Sequence, residues 1–299
     1  MAREILVKSV LNKTKKHDSW FLSTYTINPF SACAFNCLFC YIRGSRYGSH
    51  MEEKVSVKAN LLPILEKELK RRAEKNEYGF IVVSSATDPY LQIEEKYRLT
   101  RQVLELILQY RFPVHIITRS PLVLRDLDLL HQINANAILP PEFKEHLNHG
   151  AIVSFSFSTI DEHIAKIFEP GAPSPSKRID AIRQVVAEGF LCGVSLMPLL
   201  PYISDKGEHL HQMYETFSNA GAQYVLAATL TLFGTSAADS KPLYYEALKT
   251  HYPELLEKYN RLFAEGSEMP AYYKEALKRK TDSLAKEFRV RNSILHPSI

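Results

Sequence analysis

The chain has 299 residues, a hydrophobic fraction of 45%, a charged fraction of 23% and a formal net charge of +4 at pH 7. These values are ordinary for a soluble globular protein of one large α/β domain, with or without an appendage. No apolar run reaches the roughly 18 to 20 residues of a membrane-spanning helix, and the N-terminal region lacks the apolar segment of a signal peptide. We therefore expect a cytoplasmic protein. The small positive charge is only weak support for a nucleic-acid partner.

Six short apolar segments rich in Val, Ile, Phe and Tyr alternate with amphipathic patterns of helical period. The predicted strands are Trp20–Ile27, Phe80–Ser85, Val114–Thr118, Ile152–Phe157, Leu191–Met197 and Tyr224–Leu232. Residues that share one face in the intervening helices are Leu61, Leu65 and Leu69; Leu99, Val103, Leu106 and Ile107; and Ile179, Ile182, Val185 and Val186. This alternation predicts a parallel sheet with right-handed crossovers. Six units are too few for a closed eight-stranded barrel, so we predict a partial (β/α)6 barrel.

The remaining segments are predicted as additions to this barrel. Residues 134–150 have the pattern of an irregular insertion before the fourth strand. We expect the barrel to occupy residues 20–235 and a helical C-terminal extension to occupy residues 240–299. The residues predicted to pack the extension against the barrel are Leu255, Leu262, Tyr272 and Tyr273.

Three of the 4 cysteines, Cys33, Cys37 and Cys40, follow the first predicted strand with the spacing C-x3-C-x2-C. Disulfides are disfavoured in a reducing compartment, where clustered thiols more often bind metal. Iron–sulfur clusters are held by Cys thiolates, normally four per [4Fe–4S] cluster. A loop with only three thiolates leaves one iron free to coordinate a substrate or cofactor. The spacing therefore favours a [4Fe–4S] cluster with one open iron.

Three alternatives remain for these cysteines. A structural zinc site in a protein that binds nucleic acid is one, with Cys192 or His50 as the fourth ligand that a tetrahedral zinc ion requires. The second is an iron–sulfur cluster that serves only electron transfer or sensing. The third is a set of buried structural thiols without a metal.

The cysteine spacing, with Phe39 directly before the last Cys, resembles the signature of the radical S-adenosylmethionine superfamily. The resemblance implies that Cys33, Cys37 and Cys40 hold the cluster and that the open iron chelates S-adenosylmethionine. An electron from the reduced cluster, supplied by a donor such as flavodoxin or ferredoxin, would then yield a 5′-deoxyadenosyl radical. Phe39 and Tyr41 would lie near the adenine, within the six-unit partial barrel of this family.

Polar side chains follow the second and third predicted strands. Thr87 and Asp88 come after the second strand, and Arg119 follows the third. Because the carboxyl ends of parallel strands share one end of a barrel, we expect these residues to lie close together. Thr87 and Asp88 have the chemistry to bind an ammonium group, and Arg119 to bind a carboxylate. An ordinary Asp-Pro turn and a solvated surface arginine are the alternatives.

The fourth predicted strand carries Ser154, Ser156 and Ser158 at alternate positions, which places their hydroxyls on one face. In a barrel this pattern predicts either a polar lumen for a ligand or small side chains that fill a narrow interior. Arg178, in the first turn of the next helix, is a further candidate to bind a carboxylate or phosphate, because the helix dipole disfavours a cation there.

Longer stretches resemble the spore photoproduct lyase-like branch of the superfamily, whose members are often labelled DNA repair photolyases. The matching stretches are NPFSACAFNCLFCY, SSATDPYLQIEEKYRLTRQVLE, ITRSPLVLRDLDLL, SFSFSTIDEHIAKIFEPGAPSPSKRIDAI and GVSLMPLLPYISD. The resemblance implies Thr87, Asp88, Arg119 and Ser156 as S-adenosylmethionine contacts. It also implies a nucleic acid or nucleotide as substrate.

The chain departs from this branch in one chemical respect. The branch uses a cysteine after the second strand as a hydrogen-atom donor, whereas Ser85 or a neighbour stands there in this chain. A serine O–H is a poor hydrogen-atom donor, so reversal of thymine dimers by the same route is not expected. Tyr41 and Tyr90 are the candidates to relay a hydrogen atom, with packing and cofactor shielding as the alternative. Cys192 is expected to be a buried core thiol.

Overall fold

The computed structural model describes residues 3–15, 18–45 and 55–295. The strands are β1 Arg3–Ile5, β2 Asn12–Lys13, β3 Ser23–Ile27, β4 Phe30–Ser31, β5 Ser56–Lys58, β6 Phe80–Val83, β7 Val114–Thr118, β8 Ala151–Phe157, β9 Leu191–Leu199 and β10 Val225–Thr229. The helices are α1 Leu61–Glu74, α2 Glu94–Tyr97, α3 Leu99–Gln109, α4 Leu127–Asn136, α5 Glu162–Phe168, α6 Pro175–Ala187, α7 Gly207–Asn219, α8 Ser240–His251, α9 Leu256–Leu262 and α10 Ala271–Glu287. Short 3-10 turns cover Pro121–Asp126, Pro141–Phe143 and Pro253–Leu255.

The main sheet has the strand order β10-β9-β8-β7-β6-β3-β2. Its strands from β3 to β10 pair in parallel, and β2 adds an antiparallel strand beside β3. These six parallel strands correspond to the six predicted segments, and helices connect them. The prediction of a mixed α/β partial barrel with a helical C-terminus is therefore confirmed. A small sheet of order β1-β5-β4 was not predicted, because its strands have only two or three residues.

The predicted helix faces form the outer layer of the core. Leu61, Leu65 and Leu69 of α1 are fully buried. Each such leucine contributes about 1.5–3 kcal/mol by leaving water. Helix α6 ends just before Gly189, whose φ of +82° lies in the left-handed region that favours glycine. The 3.6-residue period of the sequence thus identified these faces correctly.

Five of the six predicted strands differ from the structure at one end or both. The fourth begins at Ala151, the fifth ends at Leu199 and the sixth covers only Val225–Thr229. The differences in the first two strands have a clear backbone cause. The first strand begins at Ser23 rather than Trp20, because Asp18 accepts a hydrogen bond from the Trp20 backbone N–H and forms a turn there. The second ends at Val83 rather than Ser85, because Ser84 has a φ of +73°. A non-glycine residue with positive φ interrupts an extended strand.

Residues 134–150 contain the end of α4 and one 3-10 turn, so the prediction of an irregular insertion is confirmed. Helices α8 to α10 supply the predicted helical C-terminus. Leu255 and Leu262 are buried and Tyr273 is half-buried, whereas Tyr272 is 67% exposed, so its predicted packing role was wrong. The division into units 20–235 and 240–299 stays a prediction. Across the described ranges, no helix is both long and apolar enough to cross a membrane.

The cysteine loop, residues 32–41, is held by the segment that follows α5. The backbone N–H of Leu38 donates to the Phe168 carbonyl at 2.9 Å, and that of Gly171 donates to the Phe35 carbonyl at 3.0 Å. A Cβ on Gly171 would lie 2.3 Å from the Ala34 carbonyl oxygen. Only glycine therefore allows this close approach of the two backbones.

We predict that Gly171→Ala displaces the cysteine loop, because the added methyl overlaps a backbone atom that cannot rotate away; overpacking of this kind costs about 1–3 kcal/mol. The expected result is faster alkylation of Cys37, which is only 8% exposed, measured on the metal-free protein by peptide mass spectrometry. Gly207→Ala is the matched control, because nothing lies within 4 Å of its Cβ. Equal alkylation rates in the two variants would contradict this account of the loop.

Candidate functional site

A cavity of about 430 Å³ lies between the cysteine loop and the interior of the barrel. Its walls combine thiols, aromatic rings and hydroxyls with very few charged groups. The residues that line it are Asp18, Phe21, Ser23, Thr26, Cys33, Phe35, Cys37, Phe39, Cys40, Tyr41, Val82, Ser84, Ser85, Ala86, Thr87, Asp88, Ile117, Arg119, Ser156, Ser195, Met197, Pro198, Ala228, Thr229 and Thr231. The cavity thus brings together the three cysteines, Phe39, Tyr41, Thr87, Asp88, Arg119 and Ser156, but it includes neither Tyr90 nor Arg178.

The three thiols differ in burial. Cys33 and Cys40 are half-buried and Cys37 is buried. Burial raises the pKa of Cys33 to about 12, with a further contribution from the nearby Asp88 carboxylate. Burial also raises the pKa of Cys37, against the lowering effect of Arg119. Such thiols become thiolates when a cation binds them, which couples ligation to proton release.

The three thiols do not converge on a single point. Within residues 3–15, 18–45 and 55–295, no three His, Cys, Asp or Glu side chains are placed so that one metal ion would contact them all. Tetrahedral zinc is held by ligands that converge on one ion, at Zn–S distances of about 2.3 Å. A [4Fe–4S] cluster binds each thiolate through a different iron, so its ligands need not converge on one ion. Of the two proposed fourth zinc ligands, Cys192 is fully buried in the core and His50 lies outside the described residues.

The loop after β6 is shaped by Asn28. Its side-chain oxygen accepts hydrogen bonds from the backbone N–H groups of Ala86 at 2.9 Å and Thr87 at 3.3 Å. The buried hydroxyls of Ser84 and Thr87 have no hydrogen-bond partner in the described part of the chain. The backbone of this loop is therefore held in place while its hydroxyls remain available.

Asp88 joins the ends of two neighbouring strands. Its carboxylate accepts hydrogen bonds from the Thr118 hydroxyl and the Arg119 backbone N–H, both at 2.7 Å, and from the Tyr90 N–H at 2.9 Å. Burial raises the pKa of Asp88, although these hydrogen bonds oppose the shift. Asp88 thus has a structural role in addition to its position on the cavity wall. Its hydrogen bonds to the end of β7 go beyond those of an ordinary Asp-Pro turn.

Arg119 is an inward-facing cation rather than a solvated one. Its side chain is 12% exposed, its guanidinium lies 5.7 Å from the centre of the Phe39 ring, and its Nη1 is 3.2 Å from Glu169. Burial lowers the pKa of Arg119, but Glu169 and the Cys37 thiol raise it by more, so the side chain stays charged. The Nη1 group donates no hydrogen bond to any described residue.

Glu169 lies between two arginines. Its carboxylate is fully buried and accepts hydrogen bonds from the Ser158 hydroxyl at 2.6 Å and from Arg178. Arg178 also donates to the Ser156 carbonyl at 2.8 Å and the Pro173 carbonyl at 2.9 Å. Burial raises the pKa of Glu169, but Arg119 and Arg178 lower it by more. Arg178 therefore binds a carboxylate of the protein itself and does not line the cavity.

Ser154 and Ser156 of β8, and Ser158 directly after the strand, have different surroundings. The Ser154 hydroxyl is fully buried, 2.7 Å from both His115 Nε2 and the Tyr224 hydroxyl. Ser158 binds Glu169. Only Ser156 lines the cavity. The row therefore includes both a ligand-facing hydroxyl and hydroxyls that fill the interior.

The two tyrosines proposed as hydrogen-atom relays lie in different places. Tyr41 lines the cavity, and its hydroxyl donates to the Ser85 carbonyl. Tyr90 is 1% exposed, packs near Arg125 and is absent from the cavity wall. Its side chain points away because the Asp88 carboxylate holds the intervening turn. The geometry therefore supports Tyr41 and does not support Tyr90.

Sequence reasoning missed two residues that organise the site, Asn28 and Glu169. Asn28 directly follows β3, which is the position where polar residues were sought on later strands. Glu169 lies in a Pro-containing loop, and a single carboxylate there carries no pattern of its own. The strand-end rule would have found Asn28, whereas only the folded structure reveals Glu169.

The cavity has the groups that an iron–sulfur cluster and a polar cofactor would need. Buried polar atoms are paired in more than about 90% of cases, yet Ser84 Oγ, Thr87 Oγ1 and Arg119 Nη1 line this cavity without hydrogen-bond partners among the described residues. Soft thiolates suit iron–sulfur ligation. The residues therefore fit both groups.

Comparisons with known proteins agree with this geometry. An uncharacterized protein of Mycobacterium tuberculosis (strain ATCC 25618 / H37Rv) is 29% identical over 294 residues, which cover 96% of this chain and 81% of that protein. The radical SAM Nα-GlyT isomerase of Pseudomonas phage M6 is 24% identical over 234 residues, which cover 78% of this chain and 44% of the isomerase.

A solved structure has the same fold. A spore photoproduct lyase mutant with bound AdoMet and dinucleoside spore photoproduct superposes with a TM-score of 0.62 at 16% identity, over 95% of this chain and 79% of that one. The family model described as "Radical SAM superfamily" matches residues 27–215, more than half of the chain. That family uses a [4Fe–4S] cluster and S-adenosylmethionine. The chain therefore belongs to the radical S-adenosylmethionine superfamily of enzymes.

Proposed function

We propose that Cys33, Cys37 and Cys40 bind one [4Fe–4S] cluster and that the protein reductively cleaves S-adenosylmethionine. The observation that carries this proposal is that three thiols and the partnerless polar atoms line one cavity. When bound, the reduced cluster supplies one electron, which cleaves S-adenosylmethionine into methionine and a 5′-deoxyadenosyl radical. The chain itself binds and orients the cofactor and excludes water.

Each end of S-adenosylmethionine has a complementary group in the cavity. Arg119 would bind the carboxylate through its guanidinium, whose Nη1 forms an ion pair with Glu169 but donates no hydrogen bond to a described residue. Thr87 would bind the ammonium through its hydroxyl, which has no hydrogen-bond partner among the described residues. Asp88 would add negative charge beside the ammonium. Phe39 and Tyr41 supply ring surfaces for the adenine, and Ser156 supplies a hydroxyl for a sugar.

We further propose a nucleic acid or nucleotide as the substrate. Spore photoproduct lyase, which has this fold, binds a dinucleoside. The charged side chains of the cavity wall are confined to Asp18, Asp88 and Arg119 among the described residues, and the wall also carries hydroxyls such as those of Thr229 and Thr231. Hydroxyls both donate and accept hydrogen bonds, which suits the neutral edges of a nucleobase.

The first test is production of 5′-deoxyadenosine from S-adenosylmethionine by anaerobically reconstituted, dithionite-reduced protein. We expect product from the wild type and none from Cys37→Ala, because the variant lacks one of three thiolates. Cys192→Ala is the matched control, since Cys192 is fully buried away from the cavity. About four irons per chain without product would favour a sensor or electron carrier, and zinc after anaerobic expression would contradict the cluster.

A second test concerns Arg119. Replacing it by Gln removes a charge-assisted hydrogen bond worth about 1.5–3 kcal/mol, so the dissociation constant of S-adenosylmethionine should rise about 10- to 100-fold. Calorimetry on the reconstituted protein measures this change. Arg183→Gln, on the exposed face of α6, should bind as the wild type does. Unchanged affinity of Arg119→Gln for S-adenosylmethionine would show that Arg119 does not bind this cofactor.

The substrate proposal is tested by adding DNA oligonucleotides, RNA oligonucleotides or free nucleosides to the cleavage assay. A true substrate should increase the yield of 5′-deoxyadenosine and undergo a mass change that requires Cys37. If no nucleic acid or nucleoside affects either quantity while short peptides do, the substrate belongs to another class.

A further inference from the structure

Four charged side chains next to the cysteine loop, two arginines and two carboxylates, are connected by ion pairs or hydrogen bonds. Arg43 is also buried and donates a hydrogen bond to Asn36 of the loop, but it does not belong to this connected set. The side chains of Glu169, Arg178 and Arg119 are 0%, 1% and 12% exposed. Asp88 is buried beside the Arg119 backbone. With all four ionised, the set carries no net charge. Removing any member therefore leaves a net charge of known sign in a region that water and salt screen poorly.

Three of these residues lie directly beside the cysteine loop. The Arg119 guanidinium is 5.7 Å from the centre of the Phe39 ring, which lies between Cys37 and Cys40 in the sequence, and it is 3.2 Å from Glu169. The backbone N–H of Asp88 donates a hydrogen bond to the Cys33 thiol. The segment that carries Glu169 is also hydrogen-bonded to the cysteine loop through its neighbour Phe168. The distance between these charges and the thiols is therefore set by the fold and not by mobile side chains.

We propose that Asp88, Arg119, Glu169 and Arg178 form a charge-balanced set that sets the reduction potential of the cluster held by Cys33, Cys37 and Cys40. The inference rests on the proposed function. Reduction adds one electron to the cluster, so a nearby positive charge favours the reduced form and a negative charge disfavours it. The potential of iron–sulfur clusters depends on charge and burial in this way. Glu169 and Arg178 act without lining the cavity.

A purely structural role would produce a different pattern of effects. Glu169 and Arg178 also connect the segment after α5 to β8, through Ser158 and the Ser156 carbonyl. If support were their only role, loss of either residue would disturb the cluster in the same direction. An electrostatic role requires opposite directions, because one loss leaves a positive charge and the other a negative charge.

The test is a redox titration of the reconstituted full chain, followed by the electron paramagnetic resonance signal of the reduced cluster. Glu169→Gln should shift the midpoint potential upwards and Arg178→Met should shift it downwards. Arg178→Lys, which keeps the charge, and Ser158→Ala, which removes a neutral hydrogen bond, should stay near the wild type. The shifts should persist in about 1 M salt, where exposed charges are screened within about 3 Å.

Shifts of the same sign in Glu169→Gln and Arg178→Met, or no shift in either, would overturn the inference. If Arg178→Met does not retain iron, an upward shift of Glu169→Gln relative to Ser158→Ala supports the proposal and its absence refutes it. A wild type without a cluster would refute the proposed function and this inference together. A wild-type cluster with unshifted variants refutes the inference alone.

Discussion

The site depends on the hydrogen bonds between the cysteine loop and the segment after α5. The loop contributes almost no regular structure, so its shape comes from the contacts of Leu38 with Phe168 and of Phe35 with Gly171. A backbone pairing of this kind leaves the thiols free for ligation, because no side chain of the loop is needed to maintain it. The same segment places Glu169 beneath the loop. One contact therefore determines both the position of the cysteines and their electrostatic surroundings.

The barrel could be predicted because its signals are local and periodic. Burial of one side of a helix or strand produces a periodic apolar pattern in the sequence, as at Leu61, Leu65 and Leu69. Strand ends were harder to predict, since they depend on single backbone conformations. Ser84 has a positive φ that no propensity favours, and Asp18, just before the predicted first strand, accepts a hydrogen bond that makes the start of that strand a turn. Tyr272 was predicted to be buried because it is aromatic, but it is exposed. An aromatic side chain can remain at the surface, so residue type alone does not predict burial.

Some residues of the candidate site could also be predicted from the sequence, and others could not. The cysteines could be found because their spacing within one loop is unusual, and Arg119 because it ends a strand. Glu169 could not be found, since its role arises from two arginines that are distant in sequence. Tyr90 failed for a related reason: its distance from Asp88 along the chain is short, but the turn directs its ring away from the cavity. A residue that is close in sequence to a site residue can still direct its side chain away from the site.

The sheet begins with β2 and ends with β10, and in the described ranges these two strands do not pair with each other. A closed barrel would admit only molecules small enough to enter through its end. An open one also has a side entrance, so a long polymer need not be threaded or cut before one of its units reaches the lumen. An open sheet therefore sets a less strict limit than a closed barrel on the size of the molecule that can reach its interior.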